Sequence, residues 1–119
     1  MKGQPIFRRF VFAARGVFAA IRHEASFRTQ LLAAAATLGA TFWVNPSLYW
    51  WGLIMVMIVG VLAAELMNTA LEHALDGLHP DQAVFVQIAK DCAAGSVAVL
   101  SAGAVVVFLL MLRDSLFLG

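Results

Sequence analysis

From Cys92 to Leu112 the chain carries no charged side chain, and this run has the length of about 20 apolar residues that a helix needs to cross the hydrocarbon core of a bilayer. With no water there to satisfy backbone N–H and C=O groups, such a segment closes its hydrogen bonds internally, as an α-helix does. The remaining sequence agrees: 62% of the 119 residues are hydrophobic and only 13% are charged. That balance suits a chain whose solvent is lipid. The expected fold class is an all-α membrane protein formed as a single domain over residues 1–119.

Three spans are predicted, at about 29–44, 48–71 and 92–112. The first is somewhat short for a bilayer, so Arg28 is expected to snorkel at its start. Asn45-Pro46-Ser47 is a turn between the first two, flanked by Trp43, Tyr49, Trp50 and Trp51, whose amphipathic rings prefer the headgroup level, so this is the expected outer face, without Lys or Arg and chemically silent. A return loop is expected through Gly77, His79, Pro80 and Asp81. The third span is rich in small residues, among them Ala94, Gly95, Ala98, Ala102 and Gly103, which let helix backbones approach closely in lipid.

Ahead of the spans, about residues 5–24 repeat apolar side chains at Ile6, Phe7, Phe10, Val11, Ala14, Val17, Phe18 and Ile21. That period belongs to a one-sided helix, with Arg8, Arg15 and Arg22 on a face of their own. A basic amphipathic helix of this kind fits the plane of the membrane interface. The formal charge of +1 conceals an asymmetry, since Lys2 and five arginines (Arg8, Arg9, Arg15, Arg22, Arg28) precede the first long apolar run. By the positive-inside rule the N-terminus is cytoplasmic. Arginines throughout the first stretch exclude a cleavable signal, and no patch for nucleic acid is evident. The lone Cys92 reads as a small buried hydrophobe.

Chemistry concentrates in Glu65-Leu66-Met67-Asn68-Thr69-Ala70-Leu71-Glu72-His73-Ala74-Leu75-Asp76. At about 100° per residue, Asn68 lies about 60° from Glu65, while Glu72 and Asp76 lie within about 20° of it. All four share one face. A carboxylate at the membrane edge is costly to desolvate, so a row of them argues for a site. In this topology Glu24, Glu65, Glu72, Asp76, Asp81, Lys90 and Asp91 all fall on the cytoplasmic side.

Paired hard carboxylates suit magnesium that also coordinates phosphates, and phosphoryl transfer asks a protein mainly for metals, cations and a positioned base. Glu24 and Glu72 could hold the metal. Lys90 would face a phosphate, with Asp91 beside it. Glu65, about 10 Å up the helix from Glu72, could reach a hydroxyl confined to the bilayer and act as general base. Blander readings stand beside these. Glu72 and Asp76 could be a solvated helix end, Lys90 and Asp91 an interfacial ion pair, and Asn68 interhelical glue. The spacing of His23, His73 and His79 fits surface residues better than a transition-metal site. No Walker or protein-kinase signature occurs.

Three motifs in order, Glu24-Ala25-Ser26-Phe27-Arg28, Glu65 to Glu72 with Asp76, and Ala89-Lys90-Asp91, resemble the bacterial integral-membrane diacylglycerol kinase family, which includes undecaprenol kinases. The resemblance covers nearly the whole chain. It implies three membrane helices preceded by an amphipathic surface helix, assembled as a homotrimer in the bacterial cytoplasmic membrane with sites shared between subunits. It further implies transfer of the γ-phosphate of Mg-ATP to a lipid hydroxyl. Glu65 then resembles the general base; Glu24 and Glu72 resemble the Mg²⁺ and ATP carboxylates. Asp81, Lys90 and Asp91 resemble ATP contacts, and Arg28, Asn68 and Asp76 line the lipid substrate site with Glu65.

Two departures are present. Where the family shows an acidic residue followed by Tyr-His, this chain reads Asp81-Gln82-Ala83. After Lys90-Asp91 it reads Cys92-Ala93-Ala94-Gly95-Ser96, closer to the branch that includes undecaprenol kinases. The leading expectation is a diacylglycerol kinase, with undecaprenol kinase as the alternative within the family. Rivals of other classes are a small proton-coupled membrane transporter, which would need a fourth span, and a non-catalytic membrane adaptor.

Overall fold

The computed structural model describes residues 2–118, which form helices α1 (Ile6–His23), α2 (Ala25–Val44), α3 (Leu48–Leu78) and α4 (Val84–Arg113), closed by a π-helical turn over Asp114–Leu118. No strand occurs among the described residues. Two of these helices, Leu48–Leu78 and Val84–Phe117, are long and apolar enough to cross a membrane. The 20-residue α2 is long enough but less apolar, because Arg28, Thr29 and Gln30 occupy its early turns.

Each break between helices has a local cause. Glu24 adopts an extended conformation (φ −113°, ψ 106°). Its N–H still bonds the Ala20 carbonyl at 2.9 Å, and its own carbonyl accepts from the Arg28 N–H at 3.2 Å. One residue therefore ends α1 and begins α2. At the other end of α2, Asn45 takes the left-handed conformation at φ 54°, which asparagine tolerates better than most residues. Pro46 follows and cannot continue the helix. Ser47 then receives the N–H groups of Trp50 and Trp51 on its carbonyl, starting α3.

Short connections make α2 and α3, and α3 and α4, antiparallel neighbours. Phe42 and Trp51 meet edge to face at 4.7 Å at one end of the α2–α3 pair, while Ser26 meets Glu65 at the other. Along α3 and α4, Trp50 pairs with Asp114 and Asp76 with Lys90. Ile54, Thr41 and Met111 are fully buried, a narrow core shared by α2, α3 and α4. In α1 only Ala20 is buried; Phe7 and Phe10 are left 77% and 70% exposed by the chain's own packing.

Four sequence expectations change. The helix α3 runs past residue 71 to Leu78, so Gly77 is helical and the return loop shrinks to residues 79–83. The helix α4 begins at Val84, ahead of the expected 92, so Lys90 and Asp91 stand within it. Apolarity located the spans, but polar turns of the same helices continue beyond them. The aromatic end of the bundle is not free of charge, because antiparallel packing brings the end of α4 back to Trp50, whose Nε1 donates to Asp114 Oδ2 at 2.8 Å. Arg113 is adjacent. Cys92 is exposed, since it lies on the side of α4 that no other helix of the chain covers.

Close packing of α3 against α4 rests on two glycines that face different amounts of space. A Cβ added at Gly60 would meet Leu100 at 3.5 Å, an ordinary contact, whereas one added at Gly103 would meet Met57 Cε at 3.0 Å. Gly103→Leu is therefore expected to destabilise the folded protein in detergent by about 1–3 kcal/mol, and Gly60→Ala by less than about 0.5 kcal/mol. Thermal denaturation followed by circular dichroism measures both.

Candidate functional site

The polar residues singled out by sequence gather at the end of the bundle that holds the Glu24 corner and the 79–83 turn. At about 1.5 Å per residue, the 31 residues of α3 span about 46 Å, well beyond a hydrocarbon core of about 30 Å. Its last turns therefore project past the apolar region. Glu65 lies about 26 Å from the start of α3 on the same rise, and Glu72 and Asp76 stand on the projecting part.

Glu65 is 6% exposed and the only buried charged residue of the described chain. Its carboxylate accepts a hydrogen bond from the Ser26 hydroxyl at 3.4 Å, a contact between α3 and the first turn of α2. One turn further along α3, the Asn68 amide donates to Glu72 Oε1 at 3.3 Å. The amide oxygen of Asn68 is buried and finds no donor. Such an orphan is uncommon in a folded protein and marks a place where a bound group can add a contact.

Glu24 approaches the same part of α3 from the corner: His73 Nε2 donates to Glu24 Oε1 at 2.9 Å. Sequence reading left His73 among surface histidines; it is 72% exposed, yet it holds a carboxylate that is 25% exposed. The cleft between α1 and α3 at this pair has a volume of about 630 Å³ and is lined by Gly16, Ala20, Glu24, Leu66, Ala70 and His73. Below Glu65 lies an apolar cavity of about 220 Å³. It is bounded by Gln30 on α2, Val61 and Leu62 on α3, and Ser101 on α4, and the Ser101 hydroxyl is buried without a partner.

Lys90 donates to Asp76 Oδ1 at 2.7 Å across the α3–α4 hairpin, so its ion pair is with Asp76 and not with its neighbour Asp91. Asp91 instead accepts from Gln87 Nε2, one turn back on its own helix, at 2.8 Å. A shallow pocket of about 420 Å³ opens here, with Asp76, His79, Asp81, Gln87 and Lys90 in its wall. The Asp81 carbonyl accepts from His79 Nδ1 at 2.9 Å, which leaves the carboxylate of Asp81 at the surface.

Arg28 stands apart from this set. Its Nη1 donates to the carbonyls of Ile21 at 2.9 Å and Arg22 at 3.0 Å, so it is turned toward the end of α1. Among the described residues no three His, Cys, Asp or Glu side chains converge as a metal-binding group. A single chain thus brings Glu65 to Ser26, Glu24 to His73, Glu72 to Asn68 and Lys90 to Asp76, with Glu24 and Glu72 held by separate partners.

Comparison with known proteins adds to this geometry. The model of the prokaryotic diacylglycerol kinase family matches residues 11–112, which takes in the Glu24 corner, the Glu65–Asp76 stripe and Lys90. The chain is also similar to the undecaprenol kinase of Bacillus subtilis (strain 168), with 36% identity over 110 residues, covering 92% of this chain and 89% of that one. The helical membrane architecture, the buried carboxylate at its polar end and these two matches together establish that the chain belongs to the prokaryotic diacylglycerol kinase family, whose members are diacylglycerol and undecaprenol kinases.

Proposed function

We propose that the chain is an ATP-dependent lipid kinase that transfers the γ-phosphate to the hydroxyl of a membrane polyprenol of the undecaprenol type. The observation that carries the reading is Glu65, buried where the apolar part of α3 gives way to its polar end, with a serine as its hydrogen-bond partner. A base placed there meets a hydroxyl presented from lipid before water does. The acceptor assignment is supported by the Bacillus relative, an undecaprenol kinase. Diacylglycerol, favoured on sequence alone, is the second reading and is supported by the family's name.

In this reading α2 is the third membrane span beside α3 and α4, and α1 lies in the interface with its phenylalanines in lipid and its arginines toward anionic headgroups. The N-terminus and the 79–83 turn face the cytoplasm of a bacterial inner membrane. Three copies assemble, and the apolar surfaces left open by one chain are covered by lipid or by its partners.

The chemistry follows from the side chains. Glu65 accepts the proton of the acceptor hydroxyl as its oxygen attacks the γ-phosphorus, and the bond from that phosphorus to the β,γ-bridging oxygen breaks to release ADP. Lys90, held against Asp76, supplies a cation to the phosphates, while Asp81 contacts the nucleotide from the turn and Asp91 from α4. Glu24 and Glu72 are the carboxylates that would hold Mg²⁺, and the unpartnered amide oxygen of Asn68 has the hardness that ion prefers. Magnesium commonly binds through one or two carboxylates with substrate phosphates and water completing its shell, so the lack of a three-ligand cluster among the described residues fits a site completed by the nucleotide. Bound Mg²⁺ would offset phosphate charge as transfer proceeds. Asn68 and Asp76 line the approach to Glu65.

Glu65→Gln retains the shape of the side chain and its acceptor oxygen for Ser26 but removes the base. The expected outcome is a fall in kcat of at least about a hundredfold with unchanged thermal denaturation; a folded, fully active variant would contradict the assignment. Lys90→Met breaks an exposed ion pair, so the stability change is expected to stay within about 1 kcal/mol, while KM for Mg-ATP rises about tenfold. Purified protein in mixed micelles, given undecaprenol and diacylglycerol side by side, should show the higher kcat/KM on undecaprenol. The opposite preference would restore diacylglycerol as acceptor without touching the kinase assignment.

A further inference from the structure

We infer that Arg28 is a positioning residue for Glu24, acting through the end of α1. The inference rests on the reading of Glu24 as a metal-nucleotide carboxylate, and concerns how a corner with so little packing is kept in place.

The last carbonyls of a helix have no partner within it. At the end of α1 the Glu24 N–H takes the Ala20 carbonyl, and the next two, Ile21 and Arg22, are taken by Nη1 of Arg28 at 2.9 and 3.0 Å. Arg28 sits in the first turn of α2, so its side chain folds back past Glu24 and ties the start of one helix to the end of the other. Its charge is also favourably placed, since a helix C-terminus carries about half a negative charge.

The clamp matters because α1 has little else to fix it. Ala20 is its only buried residue, and Glu24 between the helices is extended, with no regular hydrogen-bond ladder to set its angle. Arg28 therefore restrains the backbone at Glu24, while His73 restrains the carboxylate from α3 at 2.9 Å. With both in place, a carboxylate on a lightly packed corner is presented toward the helix that carries Asn68 and Glu72.

The test compares the full-length wild type with Arg28→Met and Arg28→Lys in mixed micelles. Lysine keeps the charge but is one bond shorter and lacks the planar fork, so it should restore the clamp only in part. Expected for Arg28→Met are a rise of about tenfold in KM for Mg-ATP, a change in kcat within about threefold, and an unchanged KM for the acceptor. Arg28→Lys should fall between it and wild type, and it carries the test if Arg28→Met does not fold. Without turnover, electron paramagnetic resonance of Mn²⁺ with a non-hydrolysable ATP analogue should show weakened binding in the same order, and amide hydrogen exchange at residues 24–26 should accelerate. A rise in acceptor KM with Mg-ATP KM unchanged would make Arg28 a direct lipid contact and overturn the inference, as would unaltered exchange at the corner. A wild type that neither binds the Mn²⁺ nucleotide nor transfers phosphate would remove the kinase reading, while the exchange measurement would still decide whether the clamp exists.

Discussion

Taking a carboxylate out of water costs several kcal/mol unless hydrogen bonds or a cation compensate, and Glu65, at 6% exposed, meets that cost with one contact of 3.4 Å from Ser26. The position of that residue organises the rest of the molecule. In the proposed reaction it has to lie deep enough for a lipid hydroxyl to reach it and close enough to the polar end of α3 for a nucleotide phosphate to do the same. The length of α3 satisfies both demands, since its apolar part spans a bilayer core while its final turns carry Glu72 and Asp76 beyond it. The Ser26 contact also ties the first turn of α2 to this level, which brings the Glu24 corner to the same end.

Around this centre the polar groups are held in pairs between different elements: Glu24 with His73, Lys90 with Asp76, Arg28 with the carbonyls of α1. Such exposed pairs contribute little stability individually. Their effect is geometric, because each fixes one helix end against another where apolar packing is thin. The fully buried residues Ile54, Thr41 and Met111 lie toward the opposite, aromatic end. The bundle is thus firmest away from its chemistry and held by polar contacts at it.

The all-helical class and the approximate places of the apolar helices could be read from the sequence because apolar runs and the one-sided period of α1 are strong signals over many residues. The face shared by Glu65, Asn68, Glu72 and Asp76 could be read for the same reason, as helical geometry alone sets it. Helix ends were less legible. The turns 72–78 carry Glu72, His73, Asp76 and Gly77, and 84–91 ends in Lys90-Asp91, so both fall outside the uncharged runs, yet they continue α3 and α4, which meet through the Asp76–Lys90 pair. Contacts between distant segments were not legible at all. Nothing local in Glu24 or His73 announces their pairing, the partner of Lys90 is fourteen positions away and not the adjacent Asp91, and Arg28 gives no sign that its fork is turned back to α1. The angle of the Glu24 corner and the 79–83 turn decide these, and no period in the sequence encodes either.

The central claim is that a nucleotide bound at the Glu24 corner and the end of α3 meets a lipid hydroxyl at Glu65. The most direct measurement is paramagnetic broadening of backbone amide signals in isotope-labelled protein by a Mn²⁺ nucleotide analogue. The account predicts strong broadening at residues 24–26, 68–76 and 90–91, with Phe42, Trp50 and Asp114 at the aromatic end unaffected. Broadening centred on that aromatic end, or none above what free Mn²⁺ produces, would contradict it.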